Sequence, residues 1–252
     1  QFVATAQQLW PLFAAIALAS VYALRAGARE EGLLKGVWGP RRKISAAAGV
    51  SVAYVFVDIL PELATQNQAL RESAQSGMLF AEQRIYLLTL LSFVVMYGID
   101  HLVLSRREQR KGSVERGDRD AAYWLHIAGY AAYSALIGYL LIERVERGYA
   151  SLTVYVLAMA VHFLVVNHSL SEERGEIYRR HGHWVLAASV VAGWATGATL
   201  TLSDTTFARL FALLAGGVVI TSLRSELPDD RNGRFWPFCF ASVAFAIVLV
   251  LA

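Results

Sequence analysis

Residues 150–170 read ASLTVYVLAMAVHFLVVNHSL, twenty-one residues without one Asp, Glu, Lys or Arg. That is the length of a bilayer crossing. In lipid the backbone of such a run is satisfied only by closing on itself as a helix. The run is too long for a barrel strand and lacks strict alternation. Similar apolar blocks recur, with charge confined between them. They predict eight helices, roughly 9–25, 44–62, 83–105, 121–142, 150–170, 184–202, 207–224 and 235–252. Of the 252 residues, 56% are hydrophobic and 17% charged, where a soluble domain carries about a quarter charged. Disorder, collagen and a disulfide scaffold are excluded; Cys239 is the only cysteine. The expectation is an all-α polytopic membrane protein, a single integral membrane domain over 1–252. The first block has no basic region before it, so it reads as a helix and not as a signal peptide. Trp10, Trp124, Trp184 and Trp236 fall near the starts of blocks, at headgroup level.

Charge sets the expected orientation. Eighteen of the 23 Lys and Arg residues fall in the first, third, fifth and seventh loops. The other loops hold only Arg71, Arg84, Arg144, Arg147 and Arg209. The positive-inside rule then puts the odd loops in the cytoplasm and both termini outside. Membrane orientation accounts for the basic pI near 9.1 without nucleic acid.

Two segments echo each other. Ala48-Gly49-Val50 leads to Leu60-Pro61-Glu62, and Ala215-Gly216-Gly217 leads to Leu227-Pro228-Asp229. The spacing is the same, and the two spans carrying them run in opposite directions. This suggests inverted three-helix repeats, spans 1–3 and 6–8, around a central pair, a plan common among secondary transporters. Glycine and proline are also ordinary helix punctuation, and five of fifteen positions are identical.

Ionisable side chains at membrane depth are functional candidates by default. Asp58 and Glu62 share a face of the second span; Asp100 and His101 lie on the third, His126 on the fourth, and His162 on the fifth. Glu62 and Glu226 also suit a headgroup position, Asp100 a helix-end ion pair with Arg106 and Arg107, and His168, His181 and His183 a solvated loop. His126 and His162 have apolar sequence neighbours, so their candidate role is ligand or proton relay; an ordinary helix–helix hydrogen bond is the alternative.

The stretches Ala48–Glu62, Leu90–His101 and Ala215–Pro228 resemble those of the zinc–iron permease (ZIP) family of divalent metal transporters. The family's eight spans, external termini and three-plus-two-plus-three repeat match the plan above. The resemblance implies a homodimer and an elevator motion of the central helices. Zinc or another divalent transition metal would be the transported ion, with no organic cofactor, in a bacterial inner (plasma) membrane. It implies a metal site on the fourth and fifth helices, at His126 and His162, helped by Asp58, Asp100 and His101. The family's fourth helix carries His-Asn-x-x-acid, but Ile127 and Tyr130 stand here. Its fifth carries His-x-x-Pro-Glu, but Val165 and Val166 stand here.

A divalent ion leaving water needs compensating carboxylates. The site is therefore either rebuilt from Asp58, Asp100 or Asn167, or lost, leaving a permease-like fold that acts as an interaction or assembly protein. An enzyme is not expected. No spacing sets Ser134 or Ser169 apart as a nucleophile, and no Gly-rich phosphate loop occurs.

Overall fold

The computed structural model describes residues 2–25, 40–73, 83–109, 116–200, 202–223 and 235–251. Among these the chain is helical throughout, with no strand. The helices are α1 (Phe2–Arg25), α2 (Pro40–Tyr54), α3 (Leu60–Ser73), α4 (Arg84–Gln109) and α5 (Arg116–Glu146). After them come α6 (Tyr149–Ile177), α7 (His183–Thr199), α8 (Asp204–Thr221) and α9 (Phe235–Leu251). Turns of π-helix, Val55–Ile59 and Tyr178–Gly182, lie between α2 and α3 and between α6 and α7. Five helical stretches are long and apolar enough to cross a membrane: Ser45–Gln68, Arg84–His101, Tyr123–Glu146, Tyr149–Ser171 and Asp204–Thr221. Leu9–Ala23 and Phe235–Leu251 are apolar but shorter.

Each expected block is helical, and the boundaries shift for local reasons. The second does not stop at Leu60-Pro61-Glu62. A proline inside an α-helix clashes with the carbonyl four residues back. Here the Leu60 N–H bonds to the Val55 carbonyl, a wider π turn just before Pro61, and the helix continues to Ser73. The seventh begins at Asp204 and not at 207, because the Ser203 hydroxyl caps it by accepting the Thr206 N–H. The fourth extends to both sides, from Arg116 to Glu146. Leu227-Pro228-Asp229 and Glu226 lie outside the described residues.

The outer surface confirms the solvent. Leu87, Leu90, Leu91, Val94 and Val95 of α4 are exposed, and so are Phe240, Val243, Ile247 and Val250 of α9. Among its described residues α9 buries none. Continuous apolar faces of this size belong in lipid. The chain is an integral membrane protein.

Packing divides the helices into a central body and two flanks. In the body, α6 runs antiparallel to α5, since Tyr133 meets His162 and Tyr155 meets the Ile137 carbonyl. α7 runs parallel to α5, with Gly193 against Ala135 and Gly197 against Tyr139. The chain therefore changes direction between His162 of α6 and Gly193 of α7. α1 packs on α7, α6 and α5, and Tyr22 lies against Phe163 with ring centroids 4.6 Å apart. The flanks are α2 with α9, and α4 with α8 and α3.

Small residues let the backbones approach, since hydrophobic burial gives helices in lipid little reason to associate. A Cβ on Gly193 would overlap the Ala135 carbonyl, and one on Gly138 the Val190 carbonyl. The two echoed glycines occupy corresponding places in the flanks. Gly49 of α2 faces Ser242 of α9, whose hydroxyl donates to the Gly49 carbonyl at 3.0 Å. Gly216 of α8 faces Ser92 of α4, whose hydroxyl donates to the Leu213 carbonyl at 2.5 Å.

Gly193→Ala should therefore lower stability by about 1–3 kcal/mol or more, the usual range for overpacking. Gly98→Ala, where a Cβ meets open space, should be neutral or stabilising by up to about 1 kcal/mol. Thermal unfolding of the two purified variants in one detergent checks the contrast.

Candidate functional site

The site is organised by one face of α5. Tyr123, His126, Ile127, Tyr130, Tyr133, Ser134, Ile137, Leu141 and Arg144 are all buried, recurring three and four residues apart as one helical stripe must. The stripe mixes apolar and polar side chains, and Tyr123, His126, Tyr133, Ser134 and Arg144 are each met from another helical element.

His126 meets Asp100 of α4, with Nε2 2.5 Å from Oδ1 and only 3% and 10% of the two side chains exposed. Burial raises the strength of such a charge-assisted bond. Gly129, one turn on, faces Met96 and Ile99 of α4 at ordinary van der Waals distance. The Tyr130 ring stands edge-on to His126 at 5.0 Å. Asp100 is thus a buried partner of an imidazole. His101, next in sequence, is exposed and stacks on Tyr97 at 6.0 Å. The acid–His dipeptide is split, one residue facing inward and the other outward.

His162 is 1% exposed, and its Nε2 lies 2.9 Å from the Tyr133 hydroxyl. Tyr133 is seven residues beyond His126 on α5, about 10 Å along the axis. The two histidines are therefore engaged at different levels of α5. Just beside them, the Tyr22 and Ser134 hydroxyls are 3.3 Å apart. Asn167 is held on both sides: its amide donates to the Val21 carbonyl at 3.3 Å and its carbonyl accepts from Tyr178 at 2.7 Å.

Asp58 belongs to a second centre. It sits in the first π turn, and both its oxygens accept from the Arg144 guanidinium, at 3.2 and 2.7 Å. The same guanidinium reaches the Tyr54 hydroxyl at 3.4 Å and lies 5.2 Å from the Tyr155 ring centroid. Nearby, Arg147 forks onto Glu62 at 2.5 and 2.7 Å and reaches Glu143 at 2.6 Å. The hydrogen bonds it donates to Glu62 hold the pKa of the Arg147 guanidinium above its ordinary value. Gly148, with φ of 124°, closes the turn that carries Arg147. This is the left-handed region that favours glycine.

Of the residues singled out in the sequence, Asp100 and His126 come together. Asp58, His101 and His162 go to three other places. Among the described residues, no three His, Cys, Asp or Glu side chains gather as a metal would require. His183, expected in solvent, is instead buried, its Nδ1 3.2 Å from the Tyr178 carbonyl, because the second π turn folds it inward. His181 is exposed. The sequence reading missed Tyr133 and Arg144. The three- and four-residue spacing from His126 was the signal for the first. An acid at the matching depth on another span was the signal for the second. No family model, curated protein or solved structure matches this chain.

The Asp100–His126 bond should show as a coupling of about 1–3 kcal/mol in a double-mutant cycle of Asp100→Ala and His126→Ala, read from unfolding in detergent. Tyr133→Phe should cost about 1 kcal/mol. A coupling near zero in the cycle would mean the two side chains are held independently.

Proposed function

We propose that this protein is a ZIP-like permease for a divalent transition metal, built from eight spans in a three-plus-two-plus-three inverted arrangement. The carrying observation is the buried Asp100–His126 pair between a flank and the central body. The resembled family has its carboxylates on the fourth and fifth helices, and here those positions are Tyr130 and Val166. Asp100 supplies a carboxylate to His126 from α4 instead. One imidazole nitrogen and one carboxylate oxygen are ordinary zinc donors. An arriving ion would take the place of the hydrogen bond between the two, and the carboxylate would offset part of its charge.

The architecture supports the same reading. The echoed glycines pack at two corresponding crossings, α2 with α9 and α8 with α4, as mirrored repeats would. The body of α1, α5, α6 and α7 meets the flanks where α6 packs on α2 and where α5 packs on α4 and α8, and those flanks could act as a frame for elevator movement. A site at the body–frame boundary is carried from one face to the other by such a motion. Under this reading both termini lie outside the cytoplasm, and a homodimer would steady the frame.

One observation favours a second reading. His162 is engaged by Tyr133, and no third His, Cys, Asp or Glu joins Asp100 and His126 among the described residues. A permease-like protein that no longer moves metal, serving as an interaction or assembly partner in the membrane, would have this pattern.

Flux of zinc, cadmium and ferrous iron into proteoliposomes decides between them. Transport by the parent protein, falling at least tenfold in both His126→Ala and Asp100→Asn, is the expected result. Equal flux in parent and variants would remove this site. No flux with any of the three metals would favour the second reading.

A further inference from the structure

We infer that Asp58, Glu62, Arg144 and Arg147 form a two-rung ionic clasp that locks the central body to the first π turn and the start of α3, where the two flanks join, and opens during transport. The inference deepens the transport reading and rests on it, but it is drawn from a different part of the molecule.

The rungs are built alike. Asp58 and Glu62 are four apart across the π turn and the start of α3, while Arg144 and Arg147 are three apart at the end of α5 and in the turn after it. Residues at these spacings share one helical side. Each arginine forks onto both oxygens of its carboxylate. The inner rung is sheltered, with 8% of the Arg144 side chain and 22% of Asp58 exposed. The outer rung is wetter at its arginine, which is 35% exposed against 13% for Glu62. The clasp thus grades from the bundle interior toward the surface.

Its chemistry fits a latch better than a rivet. Apolar side chains of equal volume hold helices together as well as a buried ion pair does, and often better. What charge adds is sensitivity to water: the attraction in a sheltered site falls several-fold once solvent enters. Each rung joins an element of the body to an element of the flank, so neither survives a sliding movement between the two. Asp58 also stands on the π turn, a helical irregularity often found where helices deform. Tyr155 and Tyr54 receive the guanidinium in the closed state and hold Arg144 inward.

Ser51, seven residues before Asp58 on the helix that leads into the π turn, is 3% exposed and supplies a buried reporter position next to the clasp in sequence. A Ser51→Cys reporter in a Cys239→Ser background is placed in nanodiscs and treated with a membrane-impermeant maleimide. Labelling should be slow in this parent and at least tenfold faster in Asp58→Asn and in Arg144→Met, with thermal unfolding still cooperative. Arg147→Gln, on the wetter rung, should give a severalfold increase. The charge swap Asp58→Arg/Arg144→Asp should restore slow labelling. Parental rates in both Asp58→Asn and Arg147→Gln would overturn the clasp. Faster labelling seen only in variants that have lost their unfolding transition would overturn it too, since that is a structural rivet. Labelling needs no metal, so failure of metal flux in the reporter parent counts against the transport reading and not against the labelling result.

Discussion

Inside a bilayer a polar side chain finds no water, and each one carried by α5 must be met by another helix. That constraint shapes this protein. His126 is met by Asp100 from α4, Tyr133 by His162 from α6, Ser134 by Tyr22 from α1, and Arg144 by Asp58 from the first π turn. Four partners from four directions fix the rotation and depth of α5. Packing alone would leave both looser, because lipid tails compete with apolar side chains on equal terms. The glycines tighten another side of the same helix: Gly138 and Gly193 let the α5 and α7 backbones approach closely.

These contacts are not equal in kind. Tyr22–Ser134 and the Asn167 bonds join neutral groups within the central body, where little stress falls on them during a rigid-body movement. Asp100–His126, Asp58–Arg144 and Glu62–Arg147 involve ionisable groups and cross from body to flank. Charge therefore concentrates at the boundary that an elevator would have to slide. A buried charge is expensive to keep. Its placement at a boundary that the proposed elevator movement would slide gives a reason for keeping it that static stability does not.

Much of the fold was legible in the sequence because the membrane imposes a simple rule, and blocks such as 150–170 obey it without exception. The details that escaped follow from tertiary context. Pro61 reads as a stop signal, yet a widened turn carries the helix past it to Ser73. Glu143-Arg144-Val145-Glu146-Arg147 reads as a charged loop, but α5 continues to Glu146 and buries Arg144 on a partner 86 positions away. Histidine placement was half legible. The apolar neighbours of His126 and His162 correctly marked them as buried. Which groups they meet depended on the depths of α4 and α5, and periodicity does not fix those. His183 differed because a π turn, invisible to an ordinary helical count, rotates it inward.

The central claim is that Asp100 and His126 together receive a metal ion. X-ray absorption at the zinc edge tests it directly on protein loaded with zinc and desalted in detergent. The account expects a first shell of nitrogen and oxygen at about 2.0–2.2 Å. It also expects imidazole scattering that disappears in His126→Ala and an oxygen contribution that falls in Asp100→Ala. Zinc lost on desalting, or a spectrum that neither substitution changes, would contradict it.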